Sequence, residues 1–586
     1  MPYRAPVSDI RFTLDHVVGF DRVAATDAFA EATPDMVEAI LTEAGRMCEE
    51  VLAPLQRAGD LHPAHLENGV VRTPPGYREG FDAIAEGGWL GMSAGPEHGG
   101  MGLPVTLTMA VNEMMGSACL SLQLNPLMGQ GQIEALEAHA SEEIRALYIP
   151  KLISGEWTGT MNLTESQAGS DVGALRSKAE PNGDGTYAVS GQKIYISWGD
   201  HDLRENICHL VLARLPDAAG GTRGISLFMV PKRLPDEDGA PGVMNDLKVV
   251  SLEHKLGLHG SPTAVMQYDG ATGWLVGEPH KGMAAMFTMM NNARVGVAAQ
   301  GLGIAEVAYQ GAVAFARERK QGRVGGTGAI IEHPDVRRML MTQRAWIDGM
   351  RALLYTNAGA LDRAAAATDA DEVQEWREFA ELLIPLSKSL CTDVCNEMTS
   401  LAVQIHGGMG FVEETGIAQH YRDARIGAIY EGTNGIQAAD LVGRKLAMRG
   451  GGVVTDLLDR FDLRVKELAD IDGLGTFAER LSEAVTVARE ATEHLVSIAR
   501  DDPRTLLGAS TPYLRMLGTT VCGGLLAKSA IAASSCPDGF DAEFLDAKVT
   551  SARFFGEQIL STATGLLGAI TATSDDLFAL SATQLR

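Results

Sequence analysis

Apolar residues in this chain change their spacing twice, near Trp157 and near Val276. From Pro34 to about Leu55 they fall at Val37, Ile40, Leu41, Ala44, Cys48, Val51, Leu52 and Leu55, a helical period with one buried stripe. Helix-compatible stretches continue to about Leu152, interrupted by the Gly- and Pro-rich loop AGPEHGGMGLP, Ala94–Pro104. Between Trp157 and Val276 the runs TYAVSGQKIYISW, CHLVLARL, GISLFMVPK and AVMQYDG are short and β-rich. Turn signals at Asn182-Gly183-Asp184-Gly185, Gly220-Gly221 and Pro235–Gly242 separate them. Strands so closely spaced predict a small antiparallel barrel or sandwich. A helical period returns at Gly282 and lasts to about Arg449, where Gly450-Gly451-Gly452 breaks it. Leu481, Ala484, Val485, Ala488, Leu495 and Ile498 then mark another amphipathic helix, and Thr511–Ala532 and Asp541–Ala569 read as helical. The predicted order is helix, sheet, helix, helix, the last block a separate bundle.

A length of 586 residues suits three or four domains, and 45% hydrophobic with 21% charged residues is ordinary globular composition. No run approaches the roughly 18 apolar residues of a membrane span, and MPYRAPVSDIRFTLDH lacks the layout of a signal peptide. The expectation is a cytoplasmic protein. A net charge of −26 argues against binding a phosphate backbone. Among seven cysteines, Cys391 and Cys395 lie one helical turn apart without an accompanying His or second Cys pair, which predicts buried thiols and no metal.

Five short stretches can carry chemistry. NLTESQAGSDVG, Asn162–Gly173, ends a predicted strand at Thr164 and continues into a small-residue loop. Its hydroxyls and backbone N–H groups suit a heterocycle edge or a carbonyl; it also reads as an ordinary hairpin connection. In KIYISWG, Lys193–Gly199, alternation puts Tyr195 and Ser197 on one face, an aromatic wall beside a hydroxyl or simply a core strand. RERKQGR, Arg317–Arg323, holds four cations that suit a pyrophosphate or a solvated helix end. The glycines of QIHGGMGF, Gln404–Phe411, permit close backbone approach or a helix C-cap. No strand precedes them, so this is not a dinucleotide-binding GxGxxG. Finally, IYEGTNGIQ, Ile429–Gln437, sets a lone carboxylate, Glu431, before a helix that Thr433 or Asn434 can cap, and such a helix start attracts phosphate.

Taken in order, LTESQAGSDVG, KIYISWG, KLGLHGSPT, RKQGR, QIHGGMGF, YRDARIGAIYEGTNGIQ and LVGRKL resemble the acyl-CoA dehydrogenase family over residues 35–450. The lead YRAPVSDIRFTLDHVVG and the extension after Gly452 resemble its long bacterial branch, which includes enzymes of 3-(methylthio)propanoyl-CoA in dimethylsulfoniopropionate demethylation. The resemblance implies an α+β multidomain fold. Its parts are a lead segment (1–34), an N-terminal helical domain (35–156), a middle antiparallel β-barrel (157–278), a C-terminal four-helix bundle (279–450) and an added C-terminal helical domain (451–586). It implies FAD as cofactor, an acyl-CoA substrate, electron-transfer flavoprotein as acceptor, and a homodimer. Glu431 matches the catalytic base, with hydride passing to flavin N5. Thr164, Ser170, Tyr195 and Ser197 match residues near the flavin, and Arg319, Gln321, Gln404, Gly407 and Gly408 match residues reaching the FAD of a neighbouring subunit. Thr433 and Asn434 match diphosphate contacts; Ser170, Arg294 and Gly432 match the CoA and thioester side. Tyr195 stands where many relatives have Trp, Gly322 where Phe is usual, and Asn291 where an acid is frequent.

Three rival readings are a general short- or medium-chain acyl-CoA dehydrogenase of β-oxidation, a nucleic-acid-binding flavoprotein, and an acyl-CoA oxidase. The nucleic-acid role needs a basic C-terminal surface, whereas Asp456, Asp459, Glu467, Asp470, Glu479, Glu483 and Glu490 make this one acidic. Access of oxygen to a flavin is not written in sequence.

Overall fold

The computed structural model describes residues 3–322 and 326–585. Its chain forms two compact units, one of Ala39–Gly296 with the residues just before Pro6, the other of Pro6–Glu38 with Val297–Arg586.

In the first unit, helix Val105–His139 (α1) is apolar all round and buried along nearly its whole length, with a break at Cys119. Such a helix belongs in a core rather than on a surface. Seven strands follow: Trp157–Asn162 (β1), Lys178–Pro181 (β2), Tyr187–Ser197 (β3), Asn206–Arg214 (β4), Ile225–Pro231 (β5), Leu247–Leu252 (β6) and Thr263–Val276 (β7). β7 pairs with β3, β3 with β2, β2 with β4, β4 with β5, and β5 again with β7, so the ring closes. Closure leaves no free edge within the ring. The expected antiparallel weave is interrupted along β4: β1 runs parallel to it from Trp157 opposite Asn206 to Asn162 opposite Val211, and β2 meets it in parallel at Lys178 opposite Arg214. A parallel neighbour needs a long crossover, and β2 and β3 supply it. Leu127, Trp157, Leu210, Met286 and Met289 share one buried cluster in this unit.

The second unit is helical: the C-terminal part of Gly282–Glu318 (α2), Pro334–Ala366 (α3), Ala370–His406 (α4), the short Asn434–Asp440 (α5), then Gly452–Ala469 (α6), Gly475–Ile498 (α7), Ser510–Ser534 (α8) and Ala542–Phe554 (α9). Arg449, Gly450 and Gly451 take left-handed backbone conformations and turn the chain into α6. The block after Gly452 does not stand apart. Trp346 of α3 meets Phe555 edge-on at 5.0 Å, and Arg515 of α8 pairs with Glu397 of α4 at 2.9 Å. α8 is long and apolar enough to cross a membrane by length and composition, a window the hydropathy reading passed over. Its most apolar stretch is 83% buried, which is how a central bundle helix reads. Cys391 and Cys395 are buried in α4, as expected.

Candidate functional site

Glu431 sits on the turn between Arg425–Ala428 and α5, half-buried, with φ +53°, and Gly432 follows at φ +80°. A non-glycine residue in the left-handed region costs on the order of 1 kcal/mol and persists only where its surroundings fix it. Several neighbours do so. Lys388 Nζ, on a fully buried residue of α4, donates to the Gly432 carbonyl at 2.8 Å. Gln437 Nε2 donates to the Glu431 carbonyl at 3.3 Å, and the Tyr430 hydroxyl donates to Gln300. Burial holds the Tyr430 phenol well above its ordinary pKa, so it stays a neutral donor. Thr433 caps α5, its Oγ1 accepting from Ile436 N at 3.2 Å, as the sequence predicts.

Asn434 departs from its expected part. Its side chain bonds within the protein, accepting from Lys388 at 2.9 Å and donating to Asp393 at 2.7 Å and Thr392 at 3.0 Å. That amide fastens the start of α5 to α4, which commits its side-chain hydrogen bonds within the protein. Lys388, which sequence reading did not single out, is the centre of this arrangement. A lysine inside an apolar helix face is the signal that was available.

Arg319, Gln321, Gln404, Gly407 and Gly408 are all exposed. Phe315, on the last turn of α2, stacks on His406, the last residue of α4, at 4.3 Å, which places the two runs side by side. Segments 319–321 and 328–330 hydrogen-bond to each other, Gln321 N to Gly328 O at 3.1 Å and Ile330 N to Arg319 O at 2.8 Å. Gly322 has φ +81°, and a Cβ there would come within 2.7 Å of the His333 ring, which accounts for glycine at this position. A Cβ at Gly407 or Gly408 would meet nothing within 4 Å. Arg323, the last cation of the run, lies outside the described residues. Asp393, beside Asn434, and Gln404 are 11 residues apart on α4, roughly 16 Å at ~1.5 Å per residue. The arginine–glutamine–glycine group and the Thr433–Asn434 group therefore lie well apart within one chain.

In the first unit β1 ends at Asn162, two residues short of Thr164. The Thr164 carbonyl accepts from Ile194 N at 2.9 Å, which sets it beside the strand of Tyr195. The alternation argument for Tyr195 and Ser197 meets a β-bulge: the register of β3 on β7 shifts between Ala264 and Met266, and Tyr195 has φ +59°. The bulge turns the Tyr195 ring outward, 61% exposed, while Ile196 is buried and Ser197 half-buried. Ser170 is exposed in its loop, and Arg294 is buried on α2.

A buried ion pair close to Thr164 and Tyr195 in sequence was also missed. Lys193 Nζ meets Glu165 Oε1 at 2.8 Å, both buried, and also donates to the Leu163 carbonyl at 3.0 Å. Glu165 further accepts from Ser177 Oγ at 2.6 Å and Arg176 N at 2.7 Å. Burial pushes its carboxyl up, but the Lys193 ammonium and these hydrogen bonds outweigh it and hold the pKa at about 2. The pair ties loop to strand just where Thr164 and Tyr195 diverge.

Within the second unit, an exposed arginine, two exposed glutamines and open glycine backbone are groups that can hydrogen-bond an anion such as a diphosphate. Within the first, the exposed Tyr195 ring offers an aromatic face.

Four domain families match in sequence. They are described as the acyl-CoA dehydrogenase N-terminal domain (residues 34–156), middle domain (160–271) and C-terminal domain (280–446), and as acetyl-CoA dehydrogenase C-terminal like (460–581). The chain is 47% identical over 588 residues to a 3-methylmercaptopropionyl-CoA dehydrogenase of Ruegeria pomeroyi, covering 99% of this chain and 100% of that protein. ACDH-11 of Caenorhabditis elegans, solved in complex with C11-CoA, superposes with TM-score 0.78 at 20% identity, covering 98% and 95% of the two chains. An acyl-CoA dehydrogenase complexed with FAD from Bacillus anthracis gives TM-score 0.74 at 21% identity, covering 94% and 89%. With this match from end to end, the chain belongs to the acyl-CoA dehydrogenase family: it is an FAD-dependent oxidoreductase acting on the CH–CH bond of an acyl-CoA.

Proposed function

We propose that the chain dehydrogenates 3-(methylthio)propanoyl-CoA to 3-(methylthio)acryloyl-CoA, with Glu431 as the base. The observation that carries the base is its setting: a half-buried carboxylate on left-handed backbone, with Lys388 and Gln437 fixing the carbonyls on either side of the Glu431–Gly432 peptide. The substrate rests on the name of the Ruegeria relative and on identity across the whole chain. Glu431 takes the α-proton, and the electron pair of that C–H bond forms the new double bond as hydride leaves the β-carbon. FAD, when bound, supplies the hydride acceptor. The α-proton of a thioester is far too weakly acidic for a free carboxylate, so the chain must stabilise developing negative charge on the thioester oxygen, a role suited to the Glu431 backbone N–H. A rigid turn favours this, because misplacing the base by about 1 Å can cost on the order of 100-fold. Arg319, Gln321, Gln404, Gly407 and Gly408 would hold the cofactor of a partner subunit, and Thr433 would meet the diphosphate on the base's own side. Ser170, Arg294 and Gly432 would serve the CoA thioester.

The separation of the two groups along α4 supports a homodimer in which each cofactor draws on both chains. Sedimentation of the holoenzyme as a monomer would refute this. Electron-transfer flavoprotein is the proposed acceptor; fast peroxide release on reoxidation in air would instead make the enzyme an oxidase.

The decisive experiment is anaerobic flavin bleaching against 3-(methylthio)propanoyl-, butanoyl- and octanoyl-CoA. Each methylene in an apolar pocket is worth only about 1–3 kcal/mol, so the ordering must be measured. Fastest bleaching by the methylthio substrate is expected. A strong preference for octanoyl-CoA would leave the general β-oxidation reading standing in its place.

A further inference from the structure

The second unit contains a cavity of about 180 Å³ walled by the N-terminal lead, α3, α4, α6 and α8, with the Arg363 guanidinium over the Trp376 ring of α4 at 4.6 Å. Its lining is largely apolar, with Val18, Phe461 and Leu525, yet Arg363, Arg460, Arg464 and Lys528 all reach it. Arg460 pairs with Glu375 at 2.9 Å, and Arg464 with Glu467. Arg363 and Lys528 have no carboxylate partner among the described residues. Arg363 donates to the carbonyls of Val18 at 3.0 Å and Gly19 at 3.2 Å, and Lys528 to that of Val17 at 2.6 Å. Thr356 lines the same space with a buried Oγ1 that has no hydrogen-bond partner among the described residues. Burial, with Arg464, Arg363 and Arg22 nearby, holds the Lys528 ammonium down at about 8, and Asp21 only partly offsets them.

Arg363 and Lys528 both cap the carbonyl end of the Thr13–Val18 turn, which gives each of them a structural role. It does not explain four positive side chains around an apolar hollow in a chain of net charge −26. Arg363 and Lys528, half-buried and without a carboxylate partner among the described residues, carry a desolvation cost that a bound anion relieves. We propose that this cavity binds a short-chain aliphatic carboxylate, its anionic head among Arg363, Arg464 and Lys528 and its tail on Phe461 and Leu525. A dry cavity of roughly 150 Å³ takes a benzene-sized guest, so the space suits about six to eight non-hydrogen atoms.

The test is calorimetric titration of the FAD-loaded enzyme, at low salt, with hexanoate, hexanamide and inorganic phosphate. Hexanoate should bind once per chain, about 10-fold or more tighter than its uncharged amide, since a charge-assisted pair is worth at least that. The flavin spectrum should not change. Lys528→Met and Arg464→Gln should each weaken hexanoate about 10-fold while acyl-CoA turnover stays as in the parent enzyme. Should Lys528→Met not fold, Arg464→Gln and the amide comparison still decide. The proposal is overturned by absence of hexanoate binding at about 10 mM, by equal affinity for hexanamide, or by phosphate binding as tightly as hexanoate. It is equally overturned if both variants retain hexanoate, which would place the ligand in the substrate site.

Discussion

Lys388 Nζ bridges the Gly432 carbonyl, at 2.8 Å, and the Asn434 side-chain oxygen, at 2.9 Å, from a position with no solvent exposure. One buried ammonium thus sets both the peptide after Glu431 and the first residue of α5. Lys388→Met keeps the bulk of the stem but takes the side-chain donor from the half-buried Gly432 carbonyl and leaves Asn434 Oδ1 with Thr392 Oγ1 at 3.3 Å, a loss of about 1–3 kcal/mol in all. We expect kcat to fall about 10- to 100-fold through misplacement of the base, with the ratio of FAD to protein unchanged. Parent-like kcat would show that the turn holds its geometry without Lys388.

Glu431→Gln removes the proton acceptor and preserves shape. The variant should retain FAD and bind acyl-CoA, while anaerobic bleaching slows by about 100- to 10,000-fold, the usual range for loss of general-base catalysis. Bleaching within a few-fold of the parent would strip Glu431 of its proposed role.

Glu165 makes stability depend on acid. Its folded pKa of about 2 lies below the ordinary 4.5, so its contribution is fully present above about 4.5 and is lost as pH falls toward 2. The shift corresponds to roughly 3 kcal/mol. Protection factors for hydrogen exchange along β3, which correct for the slower intrinsic exchange in acid, should fall as pH drops from 4.5 toward 2, and Glu165→Gln should remove that fall. A pH response that survives Glu165→Gln would assign it to other carboxylates.

Lys548 of α9 meets Asp348 of α3 at 2.8 Å, and Ser551 donates to the other Asp348 oxygen at 2.6 Å. Burial raises the Asp348 carboxyl, but Lys548, Arg344 and Arg351 together bring it well below the usual range. Lys548→Met removes the ammonium that Asp348 shares with Asp9 while Arg344 and Arg351 stay, so it should cost less than the roughly 3–5 kcal/mol of a fully uncompensated buried charge, and adding Asp348→Ala should recover part of it. Thermal unfolding of the FAD-loaded single and double variants checks this. Additive losses would mean that the pair is not coupled.

The alternation of helical and strand-like segments was legible because apolar spacing reports which faces are buried, whatever they are buried against. Glu431 and the glycine pair at Gly407-Gly408 stood out because each breaks a local pattern, Tyr195 because it follows the alternation of a strand, and the cap by Thr433 is a local hydrogen bond. The roles of Glu165, Lys193, Lys388, Asp348 and Lys548 were not legible. Their bonded pairs lie 28 residues apart for Lys193–Glu165, 46 for Lys388–Asn434 and 200 for Lys548–Asp348. A charged residue gives no local sign of whether its partner will arrive.

By itself, then, the amino-acid order determined the class of each segment, the family and the one acid placed at a turn, since these depend on neighbours within a few residues. Only the tertiary structure decided which charges were taken out of water, that the Asn434 amide faces inward, and that a bulge turns Tyr195 out from the pleat. Desolvation is set by everything that packs around a group, and no short window of sequence contains that.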